Sequence, residues 1–172
     1  MDTETPAAIA QVIHTPMGWV AAAARDGRLV ATSLPTRTKE AALGNLGVAG
    51  DLHPRDELLE RLVADLHRYF AGEEVDFRLY PVDLSDQPPF RRTALLAARQ
   101  IPYGEVRSYR WLAETAGNPC ASRAAGQAMR YNPIPLVIPC HRVVGSTGSL
   151  TGFGGGLAMK RALLILESAP LQ

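Results

Sequence analysis

Apolar residues come in short extended runs over the first third of the chain and at helical spacing beyond it. Ile9 to His14, Trp19 to Ala24 and Arg28 to Leu34 read as three extended segments. Thr15-Pro16-Met17-Gly18 turns the chain between the first two. Arg25-Asp26-Gly27 is a hairpin signal before the third, since Asp and Gly tolerate positive φ. Thr36 to Asp51 has little periodicity and reads as a loop with some helix. Leu58, Leu59, Leu62, Val63, Leu66 and Phe70 then share one helical face, with Pro54 where a first turn tolerates it and Ala71-Gly72 at the end. Phe77, Leu79 and Val82 predict one more strand, closing a small α/β unit.

Ser85-Asp86-Gln87-Pro88-Pro89 is a linker signal and divides the chain into domains 1–85 and 86–172. Beyond it the pattern is helical. Phe90 to Gln100 forms one helix, and Ser108 caps a second through Tyr109, Trp111, Leu112 and Ala116. Gly117-Asn118-Pro119 turns into a third over Ala121 to Arg130. Two short helices across such a turn make a helix-turn-helix pattern, which packed helical hairpins share. Ala121, Ser122, Ala124, Ala125 and Gly126 are all small, so this last helix suits close approach to a nucleic-acid groove or to another helix. The proline-punctuated apolar run from Asn132 reads as a short buried strand ending at Pro139. The glycine run Thr151 to Gly156 is too irregular for a dinucleotide fingerprint; it suits a backbone wall against a flat ligand, with Phe153 for stacking. A last helix, Leu157 to Glu167, turns Leu163, Leu164 and Leu166 to a core.

A chain of 172 residues, 47% hydrophobic, can bury the core of one large or two small domains. No apolar run is long enough to span a membrane, and the acidic Met1-Asp2-Thr3-Glu4-Thr5 lacks an export pattern. A cytoplasmic protein with Cys120 and Cys140 reduced is expected. His14, His53 and His67 show no ligand spacing, so no metal is expected. The net charge of +1 hides an asymmetry: residues 91–172 carry ten Arg and Lys against three acids (+7), and residues 1–90 eight against fourteen (−6). A basic C-terminal half suits a polyanion.

The candidate chemistry lies at Cys140-His141. Taken alone, a cysteine in an apolar run is a buried structural residue, and Glu167 at a helix end is a surface acid. A thiol beside an imidazole is also what a sulfur nucleophile needs, because the thiolate attacks and something must take its proton.

Ile138-Pro139-Cys140-His141-Arg142-Val143, preceded by Arg130-Tyr131-Asn132-Pro133-Ile134-Pro135 and followed by a glycine-rich loop and a helix ending in Glu, resembles the O6-alkylguanine-DNA alkyltransferases of bacterial type. The match runs from about Pro89 to Glu167, and the first half agrees in layout. The resemblance implies an RNase H-like α/β domain followed by a mostly helical winged-helix domain. It implies Cys140 as alkyl acceptor, His141 acting through a bound water, Glu167 orienting His141, and Asn132 bracing the loop. Alternation along a strand, with neighbours on opposite faces, would agree with the water. Tyr109 matches a tyrosine that protonates the departing guanine and helps rotate the nucleotide, and Arg123 an arginine that fills the gap in the duplex. Ala121, Ser122, Ala124 and Gly126 complete the DNA-binding set, and Pro135, Met129, Phe153, Gly154 and Gly155 the substrate pocket.

The implied partner is double-stranded DNA carrying O6-alkylguanine, with O4-alkylthymine a further candidate. It would be entered by the minor groove with little sequence preference, by a monomer, with cooperative assembly on DNA left open. The alkyl group would pass irreversibly to Cys140, one per protein, without a cofactor. Phe153 stands where many members have tyrosine and Gly154 where some have serine, which bears on substrate range. Ala94-Leu95 replaces a frequent Val-Trp, a packing change. The cysteines that bind zinc in some animal members are absent, and Cys120 is expected as an incidental exposed thiol. A non-catalytic alkyltransferase-like damage sensor would lack Cys140, and a helix-turn-helix regulator would leave the Pro-Cys-His-Arg stretch unexplained.

Overall fold

The computed structural model describes residues 7–52 and 55–171. They form two compact units: the described residues up to Glu73 with Leu79–Asp83, and Glu74–Arg78 with the described residues from Leu84 onward.

In the first unit β1 (Ala8–Thr15), β2 (Gly18–Arg25) and β3 (Arg28–Thr32) form an antiparallel meander, and β4 (Gly50–Leu52) adds parallel to β1, giving the order β3-β2-β1-β4. Thr15 organises the first turn, its hydroxyl donating to the Gly18 carbonyl (2.7 Å) and accepting from the Met17 N–H (3.1 Å). Gly18 is required there, because at φ +128° a Cβ would overlap the Thr36 carbonyl oxygen. Asp26 and Gly27, at φ 51° and 71°, make the second turn. Alternate alanines of the sheet (Ala8 and Ala10, Ala21 and Ala23, Ala31) pack with Ala42 of α1 (Lys39–Gly44) and with Leu46. Small side chains let the helix sit close. Both α1 and α2 (Glu57–Phe70) contact β1 and β2. Asp56 opens α2 by accepting the Leu59 N–H (2.9 Å), and Leu59, Leu62, Leu66, Tyr69 and Phe70 are its buried stripe. Pro54 lies outside the described residues.

Three local expectations are corrected. Phe77–Leu79 is a single 3₁₀ turn rather than a strand, and Val82 makes an isolated parallel bridge with Leu29. Pro81, which has no N–H, serves only as acceptor from Leu29 (2.9 Å). The third strand stops at Thr32, short of Leu34, with Pro35 close behind. The segment 36–51, besides a helix capped by Thr38, supplies the start of β4, whose three residues are all exposed and so carry no alternation.

In the second unit α3 (Pro89–Ala98), α4 (Tyr109–Thr115) and α5 (Ser122–Arg130) pack on one another. The Ser108 hydroxyl accepts the Trp111 N–H (3.0 Å) at the start of α4. A two-residue parallel ladder joins β5 (Arg107–Ser108) to β6 (Val143–Val144). The last helix is α6 (Leu157–Leu166). Along α5, Ala125 and Ala128 are buried, whereas Arg123 and Ala124 are exposed. The buried strand expected before Cys140 is absent. Pro133, Pro135 and Pro139 remove three ladder donors, Leu136 takes φ 74°, and the Ile138 N–H returns to the Ile134 carbonyl (2.9 Å). The chain then winds as a 3₁₀ turn over Cys140–Arg142, so strand alternation does not separate Cys140 from His141.

Candidate active site

Every residue from Ile134 to Val144 is buried, which fixes the turn that carries Cys140 from all sides. Asn132 staples it: its side-chain oxygen accepts the Ile134 N–H (2.9 Å), and its amide donates to the Ile138 carbonyl (2.8 Å). The same side chain hydrogen-bonds the Cys140 thiol. Burial pushes that thiol up, while Asn132 and the charge of Lys160 pull it down.

His141 is 1% exposed and Glu167, the C-cap of α6, 2%. His141 Nε2 lies 2.7 Å from Glu167 Oε1. Arg142 grips the same carboxylate with both arms of its fork, Nε to Oε2 at 2.9 Å and Nη2 to Oε1 at 2.8 Å, and donates Nη1 to the Ile101 carbonyl (2.7 Å). Burial alone would raise Glu167, but His141 and Arg142 hold its carboxyl well below the usual range. Burial pulls His141 down, so the imidazole rests neutral against the Glu167 charge that Arg142 already balances. Nε2 therefore donates to Glu167 and Nδ1 keeps the lone pair. Nδ1 is buried without a hydrogen-bond partner among the described residues.

Lys160 is fully buried. Its Nζ donates to the Thr151 carbonyl (3.0 Å) and the Tyr109 oxygen (3.2 Å), with the Tyr109 and Phe153 rings 5.5 and 5.9 Å away. Burial brings its pKa down to about 8, against the pull of Cys140. The Tyr109 hydroxyl donates toward the Thr151 (3.0 Å) and Gly152 (3.2 Å) carbonyls, tying the glycine-rich loop to α4. Gly126 faces that ring: a Cβ there would lie 3.9 Å from two ring carbons, an ordinary van der Waals contact.

The structure thus brings the buried Cys140, His141 and Glu167 together with the half-buried Asn132 in one array, and Lys160 joins them to Tyr109. Pro135 and Met129 are buried, Phe153 is half-buried, and Gly154 and Gly155 are exposed. A Cβ on Gly154 would sit 3.6 Å from the Arg130 carbonyl oxygen, which brings that loop to the end of α5. Ala121, the N-cap of α5, and Ser122 and Gly126 within it are half-buried. Cys120 is exposed. No cluster of His, Cys, Asp and Glu suited to a metal occurs among the described residues.

Two members of the array were not among the sequence candidates, Arg142 and Lys160. The signal for Lys160 was its spacing: with Leu163, Leu164 and Glu167 it makes an i, i+3, i+4, i+7 stripe, the buried face of α6. Arg142 had only its place in an apolar run.

Fold and site together define a class: an α/β unit followed by a helix-turn-helix unit that carries a buried Cys–His–Glu array. Comparison with known proteins makes this specific. Residues 9–84 match the 6-O-methylguanine DNA methyltransferase ribonuclease-like domain, and residues 89–169 the DNA-binding domain of the same proteins. The methylated-DNA–protein-cysteine methyltransferase of Mycolicibacterium paratuberculosis is 40% identical over 157 residues, 91% of this chain and 90% of that protein. The crystal structure of Mycobacterium tuberculosis O6-methylguanine methyltransferase superposes with a TM-score of 0.76 at 37% identity, covering 96% of each chain. The Mycobacterium tuberculosis OGT in complex with DNA gives the same score and identity over 94% of each. The chain belongs to the methylated-DNA–protein-cysteine methyltransferase family, with an RNase H-like domain followed by a winged-helix domain.

Proposed function

We propose that this protein repairs O6-alkylguanine in double-stranded DNA by moving the alkyl group irreversibly onto Cys140. The observation that carries the mechanism is the buried, unpartnered Nδ1 of His141. Glu167 fixes the tautomer that leaves this atom basic, one residue from the thiol. The alkyl carbon lies within the base stack, so the nucleotide is turned out at a cost of about a few kcal/mol. The exposed Arg123 enters the vacated space, and α5 approaches by the minor groove with its small residues.

His141 Nδ1 takes the Cys140 proton through a water, with Glu167 stabilising the imidazolium. The Lys160 ammonium and the Asn132 side chain favour the thiolate. Sulfur attacks the alkyl carbon; the S–C bond forms as the C–O bond breaks, and its electron pair leaves with guanine. Tyr109 gives its proton to the base, and Lys160 donates to the phenol oxygen throughout. The proton gained at His141 balances the one lost at Tyr109. The product is a thioether, which thiol exchange cannot reverse, so one protein serves one lesion.

The test reads the DNA. A duplex whose restriction site contains one O6-methylguanine resists cutting. Added protein should restore cutting in proportion to its amount, one site per molecule, and Cys140→Ala should restore none. Restoration by Cys140→Ala would overturn the mechanism, as would turnover beyond one site per protein.

A further inference from the structure

Tyr131, where the chain leaves α5, is 54% exposed, and two guanidinium groups lie on its ring. Arg91 of α3 sits 5.2 Å from the ring centroid and Arg130 of α5 5.7 Å. Neither makes an ion pair among the described residues. No acidic side chain occurs in α3 or α5 to balance them. Like charges gathered without a counter-charge repel one another, and an aromatic ring that holds them together presents a ready site for an anion. Arg130 follows Arg123 by seven positions on α5, close to two turns, so both lie on one side of the helix about 10 Å apart along its axis.

We infer that Arg91, Arg130 and Tyr131 form a second contact to the DNA backbone, away from the nucleotide that Arg123 helps to turn out. The two guanidiniums bind phosphate oxygens. Tyr131 is a positioning residue that holds both in place before DNA arrives, which reduces the ordering cost of binding. The inference rests on the reading of α5 as the DNA-facing helix. It adds α3 to that face and gives Tyr131, which the chemistry leaves idle, a role.

The experiment measures affinity for an undamaged duplex over a range of salt concentrations. Arg91→Ala and Arg130→Ala should each flatten the dependence of log affinity on log salt by about 1, because each removes one phosphate contact. Arg91→Lys should keep the wild-type slope, showing that the charge and not a folding defect is read. Tyr131→Phe should bind as wild type, and Tyr131→Ala should bind more weakly at unchanged slope. An unchanged slope in the Arg91→Ala/Arg130→Ala double variant, with Arg123→Ala still impaired, would overturn this contact and leave the repair function standing. Absence of salt-dependent binding by the wild type would remove the DNA-facing reading itself.

Discussion

Arg142 shares in setting the charge state of its neighbours. Permanently charged and forked onto Glu167, it joins His141 in keeping that carboxylate ionised at the end of α6, while burial keeps His141 neutral. Glu167→Gln should slow alkyl transfer by about 10²–10⁴-fold through loss of the tautomer and of imidazolium stabilisation, read in single-turnover kinetics. Glu167→Ala should also cost about 3–5 kcal/mol in urea unfolding, because it strands the buried Arg142 charge. The acid limb has a definite sign. The native Glu167 carboxyl lies below its unfolded value of about 4.3, so its stabilisation is complete above that pH and is lost as pH falls toward the native value. Stability should therefore drop below about pH 4, and Glu167→Gln should flatten that limb.

Lys160 acts on Cys140 through charge. Lys160→Met removes the ammonium at nearly constant volume, and the Cys140 thiol should titrate higher. This is read from thiolate ultraviolet absorbance in a Cys120→Ser background. An unmoved or lowered titration would contradict that role. Both Lys160 and Arg142 escaped the sequence because the ordinary rule places long basic side chains at the surface. The helical spacing of Lys160 was visible, but its partners, Tyr109 and Thr151, come from distant parts of the chain. Glu167 shows the same limit: by residue type it is a surface acid, and only the resemblance gave it a partner.

Among the elements, those legible in the sequence are those that carry their own pattern. The meander announced itself through turns at Gly18 and Asp26-Gly27, α2 through its leucine stripe, and α4 through Ser108. Ser108→Ala should cost about 1 kcal/mol by losing the bond to the Trp111 N–H, and Gly18→Ala about 1–3 kcal/mol because Thr36 must move aside. Both are read in denaturant unfolding. Where pairing is dictated from outside, the sequence is silent. β4 is three exposed residues that exist as a strand only because β1 offers an edge. The run before Cys140 has the composition of a buried strand, yet its prolines cannot donate, so burial is achieved by turns. That difference matters for function, since the 3₁₀ turn brings the consecutive His141 and Arg142 onto one buried carboxylate, with Cys140 immediately before them.

Over the whole chain, the balance of +7 in residues 91–172 against −6 in residues 1–90 separates a basic half from an acidic one within a net charge of +1. On the proposed reading of α5 as the DNA-facing helix, binding to duplex DNA should weaken steeply with salt and vary little with sequence, because phosphate contacts would dominate and small side chains read few base edges. Competition among unrelated duplexes of equal length checks this, with near-equal affinities expected. Cys120, the other cysteine of the chain, is exposed, whereas Cys140 is buried.

The most direct measurement is the intact mass of the protein after incubation with a duplex containing a single O6-methylguanine, beside a Cys140→Ala control. One added methyl, mapped to Cys140, saturating at one per molecule and absent from the control, is the predicted result. Lesion-selective binding with no gain in mass, or a methyl on any other residue, would contradict transfer to Cys140.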